Sequence, residues 1–590
     1  MIQLRGMSRS MMFVAALCVV ACSQAPAKQP PGPRTPPKPN AGAVTITIVG
    51  TNDLHGALER LPILGGYVAN LRAARAADGG GVILLDAGDM FQGTLESNLS
   101  EGADVVRAYN ALGYTAAAVG NHEFDFGPVG PAVTAATIED DARGALKARA
   151  SEAKFPFVTA NVIDTKSGAR IKWPNISAST LVEVAGVKVG VIGASTESTP
   201  FTTMPANFAG LAISPPAQAI AEEAKRLREQ GAQLIAVTAH MGSKCASLDT
   251  PTDTSSCDTS EELFRVIGDL PKGAVDVFVA GHTHAAIAHR IKDVAVIESY
   301  ASGRAFGRID LRVSPAGHVT AIKIHKPQRL CEGDEGSVPV SAADCKPSYY
   351  EGRPVIPDPD IKTIVDEAVA KASVRRSEKL GVTVTDTIGK SYALESAEGN
   401  LFTDLMIAAR PEVQVALTNG GGLRADIPAG PLTYGKIFEA MPFDNRFAIV
   451  ELEGAHLRKL VSTNLQRGGA ILSWGGLRAK ARCKGERLDL AITVGGKPLD
   501  DAKTYKLATS DFLASGGDGL IGRLKLPEGS VKLTDVIIRD AMVEVLKKRA
   551  GTIDPKDYFS PAKKRMDYEG ERPVTCAKPG STKRDREPEE

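Results

Sequence analysis

The sequence predicts an α/β fold with two large domains, and three observations lead to that prediction. The chain has 590 residues, 43% of them hydrophobic, which exceeds what a single core usually holds. Through the first half of the chain, short apolar runs alternate with segments of helical apolar spacing. Several of those runs end in polar residues, at the position where α/β enzymes carry their chemistry. The net charge of +1 gives no support to nucleic acid or an anionic membrane surface as a partner.

Residues 1–22 are predicted to be a lipoprotein export signal. Arg5 and Arg9 precede the apolar run 11–20, which is too short to span a bilayer. The run ends in Val-Val-Ala-Cys, which resembles the bacterial lipoprotein signal, in which the cysteine (here Cys22) becomes the lipid-carrying N-terminus. Ordinary cleavage that leaves Cys22 as a free thiol is the alternative. We therefore expect an exported protein. Its lipid would anchor it to a membrane, on the periplasmic side or at the cell surface.

Two flanking segments are predicted to lie outside the folded domains. Residues 23–43 are rich in proline, lysine and alanine and have no apolar period, which predicts an extended, semi-rigid tether. Residues 569–590 are predicted to form a C-terminal tail. No apolar run after the signal is long enough to cross a bilayer, so the remainder is expected to be soluble.

Polar side chains follow five apolar runs of the first half. These are run 44–50 before Asp53 and His55, run 82–85 before Asp86 and Asp89, run 116–119 before Asn121 and His122, run 234–238 before His240, and run 275–280 before His282 and His284. A single histidine after a strand is more often a structural residue, and a single aspartate there is often a helix N-cap. Five such ends with carboxylate, imidazole and amide but no thiol are hard to explain as capping. They suit two ions of Mn²⁺, Fe, Co or Zn²⁺ that share a bridging carboxylate.

These motifs resemble a known family. Asp53-Leu54-His55, Gly88-Asp89, Gly120-Asn121-His122-Glu123, Ala239-His240 and Gly281-His282-Thr283-His284, in that order, resemble the calcineurin-like metallophosphoesterases. The form Gly120-Asn121-His122-Glu123-Phe124-Asp125 and the second half of the chain are similar to the 5'-nucleotidase family, over residues 44–568 or so. The resemblance implies a four-layer αββα domain over residues 44–355, with a pair of sheets between helices and the metals at the strand ends.

The resemblance also implies a role for each residue of the metal site. It assigns Asp53, His55, Asp89 and His284 to one divalent ion, and Asp89, Asn121, His240 and His282 to the other, with Asp89 bridging. His122 remains for transition-state stabilisation or protonation of the leaving group, and Asp125 is placed to orient its ring. The alternative for that pair is a local capping interaction. Asp86 is expected to support the ligands from behind.

A second α/β (α+β) domain is predicted over residues 381–568, after a connector helix within 356–380. A strand over 413–417 leads into Asn419-Gly420-Gly421-Gly422-Leu423-Arg424, where glycines permit close backbone approach and the arginine offers a planar fork for phosphate. A glycine-rich turn alone is usually only a turn. Phe443 and Phe512 lie in loops rich in chain breakers, and two such rings could stack on a nucleotide base, although a loop phenylalanine is more often a hydrophobic plug.

These segments resemble the 5'-nucleotidase C-terminal domain, in which two phenylalanines sandwich the base. The resemblance implies the following substrate-binding residues: Phe443 and Phe512 for stacking, Asn419, Asn445 and Asp518 for hydrogen bonds, Gly421 and Gly422 for backbone approach, and Arg424 for phosphate. The chain departs from the family at Tyr392, where members commonly have a phosphate-binding arginine, and at Glu398, which is acidic. We expect this departure to weaken affinity for a multiply charged phosphate, or to favour a smaller or less charged ester.

Six cysteines remain after Cys18 and Cys22, an even number that predicts disulfides in an exported protein. Zinc is the competing explanation, but the chain has no Cys-x-x-Cys motif. Proximity in sequence favours the pairs Cys245 with Cys257 and Cys331 with Cys345, which leaves Cys483 with Cys576.

The predicted function is that of a metal-dependent phosphoric ester hydrolase that converts extracytoplasmic nucleoside 5'-monophosphates to nucleoside and phosphate. The substrate would bridge a cleft between the domains, and rotation about the connector could open and close that cleft. The same metal site could serve a 2',3'-cyclic nucleotide phosphodiesterase or a UDP-sugar diphosphatase, because the second domain selects the leaving group. A tethered nucleotide-binding protein without activity is the alternative from a different class. No nucleic acid partner is expected.

Overall fold

The computed structural model describes residues 42–334, 340–341 and 343–576. The predicted export signal with Cys22, the tether up to residue 41 and the tail from residue 577 lie outside the described residues. Within the described part of the chain, no helix combines the length and the apolar character needed to cross a membrane.

The first half of the chain forms two β-sheets that pack face to face. The seven-stranded sheet has the strand order Val319–Arg329, Ala305–Val313, Val44–Thr51, Gly81–Asp86, Ala116–Ala118, Phe157–Val158 and Ile176–Ser177. The six-stranded sheet has the order Ala286–Ile291, Val294–Ser299, Val277–Val279, Leu234–His240, Val187–Ser195 and Ser179–Val184. The strands that precede the polar segments are parallel to one another within each sheet, and antiparallel strands lie towards the edges.

Helices cover the outer faces of both sheets. The first sheet is covered by Leu61–Asp78, Ala103–Leu112 and Pro359–Arg376, and the second by Pro216–Glu229 and Glu262–Asp269. The strand period of two explains the layers: Ile46 and Ile48 pack against the second sheet, whereas Val49 packs against the helices. This arrangement confirms the predicted four-layer αββα architecture.

Short elements complete the first half. They are the helices Leu95–Asn98, Gly144–Glu152, Thr199–Thr202 and Pro205–Phe208, the strand pair Val162–Asp164 with Leu211–Ile213, and the strand pair Tyr349–Tyr350 with Arg353–Pro354. The helix predicted within the connector spans Pro359–Arg376. Asp358 is its N-cap, and the Asp358 side chain accepts the N–H groups of residues 360 and 361. Its buried residues Ile361, Val365 and Ala368 belong to the core beneath the first sheet.

The second half is a mixed α+β unit built around a five-stranded sheet. That sheet has the order Leu472–Gly475, Val415–Asn419, Thr504–Ser510, Arg446–Glu453 and Val531–Ile537. A four-stranded sheet has the order Lys497–Pro498, Arg487–Val494, Leu477–Lys484 and Met566–Tyr568. A three-stranded sheet has the order Gly430–Thr433, Lys379–Val384 and Gly551–Ile553. The helices are Ala397–Ala409, Tyr434–Ala440, Gly454–Gln466, Asp511–Ala514, Ile538–Arg549 and Pro555–Tyr558. Separate apolar cores lie on the two faces of the five-stranded sheet.

All three predicted disulfides are present in the structure. They join Cys245 to Cys257, Cys331 to Cys345 and Cys483 to Cys576. The first bridge closes the loop that follows His240, so it restrains the chain directly after a predicted ligand.

Candidate dinuclear metal and substrate site

The predicted ligands follow strands that end at one edge of the two sheets. In the first sheet Thr51 lies beside Asp86, and Asp86 beside Ala117, so three parallel strands end in step. In the second sheet Thr238 lies beside Val279. Because the sheets pack face to face, the loops after these strands meet. Five loop residues have the left-handed backbone that non-glycine residues seldom adopt: Asp53, His55, Asp89, His282 and His284.

Asp53, His55 and His284 form the first cluster. The two histidines face each other through Nε2 atoms that are 3.0 Å apart. Asp53 Oδ1 lies 3.4 Å from the Nε2 of His284 and is buried without a hydrogen-bond partner among the described residues. The Nδ1 of His55 lies 2.9 Å from the carbonyl oxygen of Gln92, and burial and the Arg424 guanidinium lower the pKa of this imidazole, so its Nε2 keeps a lone pair. A buried carboxylate oxygen without a donor, beside two imidazole nitrogens, fits a divalent cation.

Asp89, Asn121, His240 and His282 form the second cluster. Their polar atoms surround the Nε2 of His240, with Asp89 Oδ2 at 3.0 Å, Asn121 Oδ1 at 3.0 Å and His282 Nδ1 at 3.1 Å. The carbonyl oxygen of Thr202 accepts the Nδ2–H of Asn121, which turns the amide oxygen towards the cluster. Burial, together with His240, lowers the pKa of His282 to about 3, so this ring is neutral at neutral pH.

Asp89 lies between the clusters and faces both. Its Oδ2 is 3.0 Å from the Nε2 of His240 and 3.9 Å from the Nε2 of His55. Burial opposes its ionisation, but the imidazoles of His240 and His122 outweigh burial and hold the pKa of Asp89 well below its ordinary value. We call the two clusters together the metal edge. Its carboxylate, amide and imidazole donors, without thiolate, fit two divalent cations that share one carboxylate.

His122 and Asp125 lie beside the metal edge and are hydrogen-bonded to each other. The distance from His122 Nδ1 to Asp125 Oδ2 is 2.6 Å, and the other carboxylate oxygen of Asp125 accepts the hydroxyl of Thr203. The Nε2 of His122 is 4.0 Å from Asp89 Oδ2, so it faces the cleft. Burial opposes protonation, but Asp125 and Asp89 outweigh it and raise the pKa of His122 above its ordinary value. The ring can therefore carry a proton on the atom that faces the metal edge.

Two predicted substrate residues of the second domain reach the metal edge. Arg424 follows the three-glycine turn, and its Nη2 is 3.2 Å from the Nε2 of His55. The ring of Phe443 lies 5.5 Å from the ring of His122, centroid to centroid, and the Arg424 guanidinium is 5.9 Å from the same phenylalanine ring. An aromatic face and a guanidinium thus line the cleft opposite the metal edge.

The other predicted substrate residues lie around the glycine-rich turn and the loop that carries Phe512. Asn419 donates from Nδ2 to Asp518 Oδ2 over 2.8 Å, and the Phe512 ring packs against Gly517, where it fills the space that a Cβ would need. The turn Gly517–Gly519 contacts the first-domain helix Thr199–Thr202.

Gly421, Gly422 and Asn445 complete that set. Tyr392 lies over the glycine-rich turn, since a Cβ built on Gly421 would be 3.7 Å from the tyrosine Cε2. Gly422 would place a Cβ 3.0 Å from Asn419 Oδ1. Asn445 precedes the strand Arg446–Glu453, and its carbonyl oxygen accepts the N–H of Ile538 over 2.9 Å.

Two family models match this chain. The calcineurin-like phosphoesterase model matches residues 46–286, and the 5'-nucleotidase C-terminal domain model matches residues 373–523. The chain belongs to the 5'-nucleotidase family of calcineurin-like phosphoesterases. It is a metal-dependent phosphoester hydrolase that uses two divalent metal ions, as the sequence predicts.

Relatives of this 5'-nucleotidase family member cover most of its length. Over 507 residues it is 26% identical to protein UshA of Yersinia enterocolitica, which covers 80% of this chain and 86% of that protein. Over 551 residues it is 26% identical to the 5'-nucleotidase of Homo sapiens, covering 82% and 85%. The crystal structure of the 5'-nucleotidase precursor from Thermus thermophilus superposes with a TM-score of 0.68 at 25% identity, covering 89% of this chain and 99% of that one.

Two buried carboxylates that the sequence analysis did not assign support the metal edge of this phosphoesterase. Glu123 accepts the backbone N–H groups of Asp89, Met90 and Gly120 at 2.9, 2.7 and 2.7 Å, so it joins two ligand loops. Glu298 accepts the hydroxyl of Thr283 at 2.6 Å, between the predicted ligands His282 and His284.

Glu298 also accepts the N–H of Ser243, in the loop after His240. In the sequence, Glu298 is a lone acidic residue in the apolar run Val294–Ser299, and this isolation is the local signal that could have identified it. Asp86, predicted to support the ligands, accepts the hydroxyls of Thr51 and Tyr109, and burial raises its pKa to about 7.

Proposed function

We propose that this phosphoesterase hydrolyses nucleoside 5'-monophosphates outside the cytoplasm. The observation that carries the proposal is the approach of the second domain to the metal edge, with Arg424 3.2 Å from His55 and the Phe443 ring 5.5 Å from the His122 ring. A ring for the base and a guanidinium for the phosphate, both beside the metal edge, match the parts of a nucleotide. The 5'-nucleotidase relatives from Homo sapiens and Thermus thermophilus support the same assignment.

The residues of the metal edge hold the two ions in this proposal. Asp53, His55 and His284 would hold one ion, Asn121, His240 and His282 would hold the other, and Asp89 would contribute to both. When bound, the two cations supply Lewis-acid activation of the phosphate and of the attacking water.

The remaining site residues bind and orient the ester. Arg424 donates two N–H groups to phosphate oxygens and spreads the negative charge that develops in the transition state. His122 holds a proton on Nε2, opposite the nitrogen that Asp125 binds, and delivers it to the ribose oxygen that leaves. Phe443 stacks on the base and positions the ester.

The location of the enzyme is the finer part of the proposal. Three disulfides favour a compartment outside the cytoplasm, where thiols are oxidised. Cys22 carries the lipid that anchors the chain to a membrane surface, after removal of the export signal. Release of Cys22→Ser into the soluble fraction, with wild type retained on membranes, is the expected result. Retention of both forms would contradict the lipid anchor.

Hydrolysis by purified residues 44–590 with added Mn²⁺ tests the proposed activity. The substrates are AMP, UDP-glucose, 2',3'-cyclic AMP and bis(p-nitrophenyl) phosphate, each with wild type and Phe443→Ala. Hydrolysis is followed as phosphate release from AMP, as p-nitrophenol release from the simple diester, and as formation of the monoester product from the other two substrates. We expect AMP to be preferred and Phe443→Ala to reduce its kcat/KM by about tenfold relative to the simple diester, because stacking is worth about 1–3 kcal/mol. Tyr349→Ala removes a ring that is 74% exposed and is the control. Activity on the simple diester alone would contradict nucleotide hydrolysis, and a preference for the cyclic or UDP-sugar ester would replace it.

A further inference from the structure

Arg539 is a buried guanidinium of the second domain that holds the segment carrying Phe443. It is 3% exposed and lies in the first turn of the helix Ile538–Arg549. Its Nη1 donates to the carbonyl oxygens of Met441 and Phe443, at 3.3 and 3.2 Å, and its Nη2 pairs with the carboxylate of Asp444. Both terminal nitrogens of the guanidinium are therefore directed at residues 441–445, which we call the Phe443 loop.

The guanidinium is itself fixed by the helix Tyr434–Ala440, which precedes the Phe443 loop. Arg539 Nε donates to the hydroxyl of Tyr434 over 3.2 Å, and its carbon Cζ lies 4.3 Å from the centroid of the Phe438 ring. A planar group of five donors can bind two carbonyls, a carboxylate and a hydroxyl at once, which an ammonium group cannot do with the same geometry.

The Phe443 loop has little regular structure of its own. It joins the helix Tyr434–Ala440 to the strand Arg446–Glu453. Asn98 of the first domain donates to the carbonyl oxygen of Pro442 over 3.1 Å. A cavity of about 600 Å³ lies beside the loop, lined in part by Leu95, Asp444 and Arg539. A loop released from Arg539 would have space into which it could move.

We propose that Arg539 is a positioning residue that fixes the Phe443 ring and thereby sets the preference of the enzyme for esters that carry a base. The inference rests on the proposed nucleotide hydrolysis and on Phe443 as the base contact. Arg539 touches neither the metal edge nor the phosphate-binding Arg424, so its effect passes through the position of one ring. A ring held in place stacks on the base without first being ordered, and a mobile ring loses part of that free energy.

Arg539→Lys tests the proposal, because it keeps the charge and removes the fork. We expect kcat/KM for AMP to fall by about tenfold, mainly through KM, and kcat/KM for bis(p-nitrophenyl) phosphate to fall by much less. Arg549→Lys is the matched control: Arg549 lies on the same helix and also contacts a tyrosine hydroxyl, that of Tyr558, at the far end of the helix. It should leave both substrates unaffected.

A double-mutant cycle separates positioning from a structural role. If Arg539 acts through Phe443, adding Arg539→Lys to Phe443→Ala should cause no further loss of the AMP-to-diester ratio. Full additivity, or an equal loss on both substrates with a lowered melting temperature, would overturn the proposal. If Arg539→Lys does not fold, Asp444→Ala removes one partner of the fork. It should give the same selective loss, smaller in size, and a uniform loss would overturn the proposal.

The same assay distinguishes failure of the proposed nucleotide hydrolysis from failure of the inference about Arg539. If wild type does not prefer AMP, or if Phe443→Ala leaves the preference intact, the proposed function fails and the inference fails with it. If Phe443→Ala removes the preference and Arg539→Lys does not, the inference alone fails.

Discussion

At the metal edge, backbone carbonyl groups in the loops after the strands orient the predicted ligands, whereas the second domain reaches the same cleft with side chains from irregular segments. The carbonyl oxygens of Gln92 and Ala87 lie 2.9 Å from the Nδ1 atoms of His55 and His240, so neighbouring backbone sets each ring. Phe443 depends instead on Arg539, a residue 96 positions away in sequence. The proposed metal site is thus built within one domain, and the proposed substrate contacts depend on how the second domain packs.

This difference predicts two kinds of variant. Changes at the metal edge should affect every phosphoester to a similar extent, because they act on the reaction itself. Changes around Phe443 should discriminate between esters with and without a base.

Asp89→Asn should have the largest effect. Asp89 Oδ2 faces His240 and His55 at once, so the change weakens both halves of the metal edge. We expect kcat/KM to fall by more than about 100-fold on AMP and on the simple diester alike, since even changes to residues behind a ligand cost about 10–100-fold. Metal content by elemental analysis should fall as well. Asp249→Asn is the control, because Asp249 is an exposed carboxylate paired with Lys326. A loss of activity confined to AMP would contradict the expectation that changes at the metal edge affect every phosphoester.

His122→Ala should slow turnover without emptying the site. A positioned acid contributes about 10²–10⁴-fold, so we expect kcat to fall by that factor on both substrates. The bound metal should stay near two ions per chain, because the Nδ1 of His122 binds Asp125 and its Nε2 stays 4.0 Å from Asp89 Oδ2. Loss of metal in this variant would move His122 from the proton-transfer role to that of a ligand.

Glu298→Leu should weaken the metal site from behind. Removal of the carboxylate leaves the Ser243 N–H without its acceptor and the Thr283 hydroxyl with only the carbonyl oxygen of Ser243. Both residues lie in loops that carry predicted histidine ligands. We expect retention of metal against a chelator to fall by about 10–100-fold, with a smaller loss for Glu298→Gln, which keeps one acceptor oxygen. Equal metal retention in wild type and both variants would show that the strands alone set the ligand loops.

The same division decides how much the sequence could predict. The four-layer fold and the clustering of the seven predicted ligands follow from local patterns, because each predicted ligand comes shortly after an apolar run and parallel strands end in step. Glu298 and Arg539 were not predicted. An acid in a buried strand and an arginine at a helix start give no local sign of their partners, which are brought to them only by the tertiary fold.

Glu398 is a buried carboxyl group of the second domain, and its replacement should have the smallest effect of these substitutions. At the metal edge the buried carboxylates accept hydrogen bonds or face imidazoles. Glu398 is fully buried, and neither of its carboxyl oxygens has a hydrogen-bond partner among the described residues. Burial, together with Asp426, raises the pKa of Glu398 well above its ordinary value of 4.5, so the folded chain binds a proton that the unfolded chain releases. The contribution of such a group to stability falls as pH rises above about 4.5, by about 1.4 kcal/mol per pH unit until the folded pKa is reached.

Glu398→Leu should therefore stabilise the enzyme by about 1–3 kcal/mol, and the gain should grow between about pH 5 and pH 7. Melting temperatures of wild type, Glu398→Leu and Glu398→Gln at both pH values check this. Glutamine keeps an unpartnered polar group but cannot ionise. Glu398→Gln should therefore remove the pH dependence of stability that Glu398 causes, without the full gain in stability of Glu398→Leu. If the leucine variant melts lower at both pH values, the carboxyl group has a partner in solution, and the second domain then satisfies its buried acids as the metal edge does.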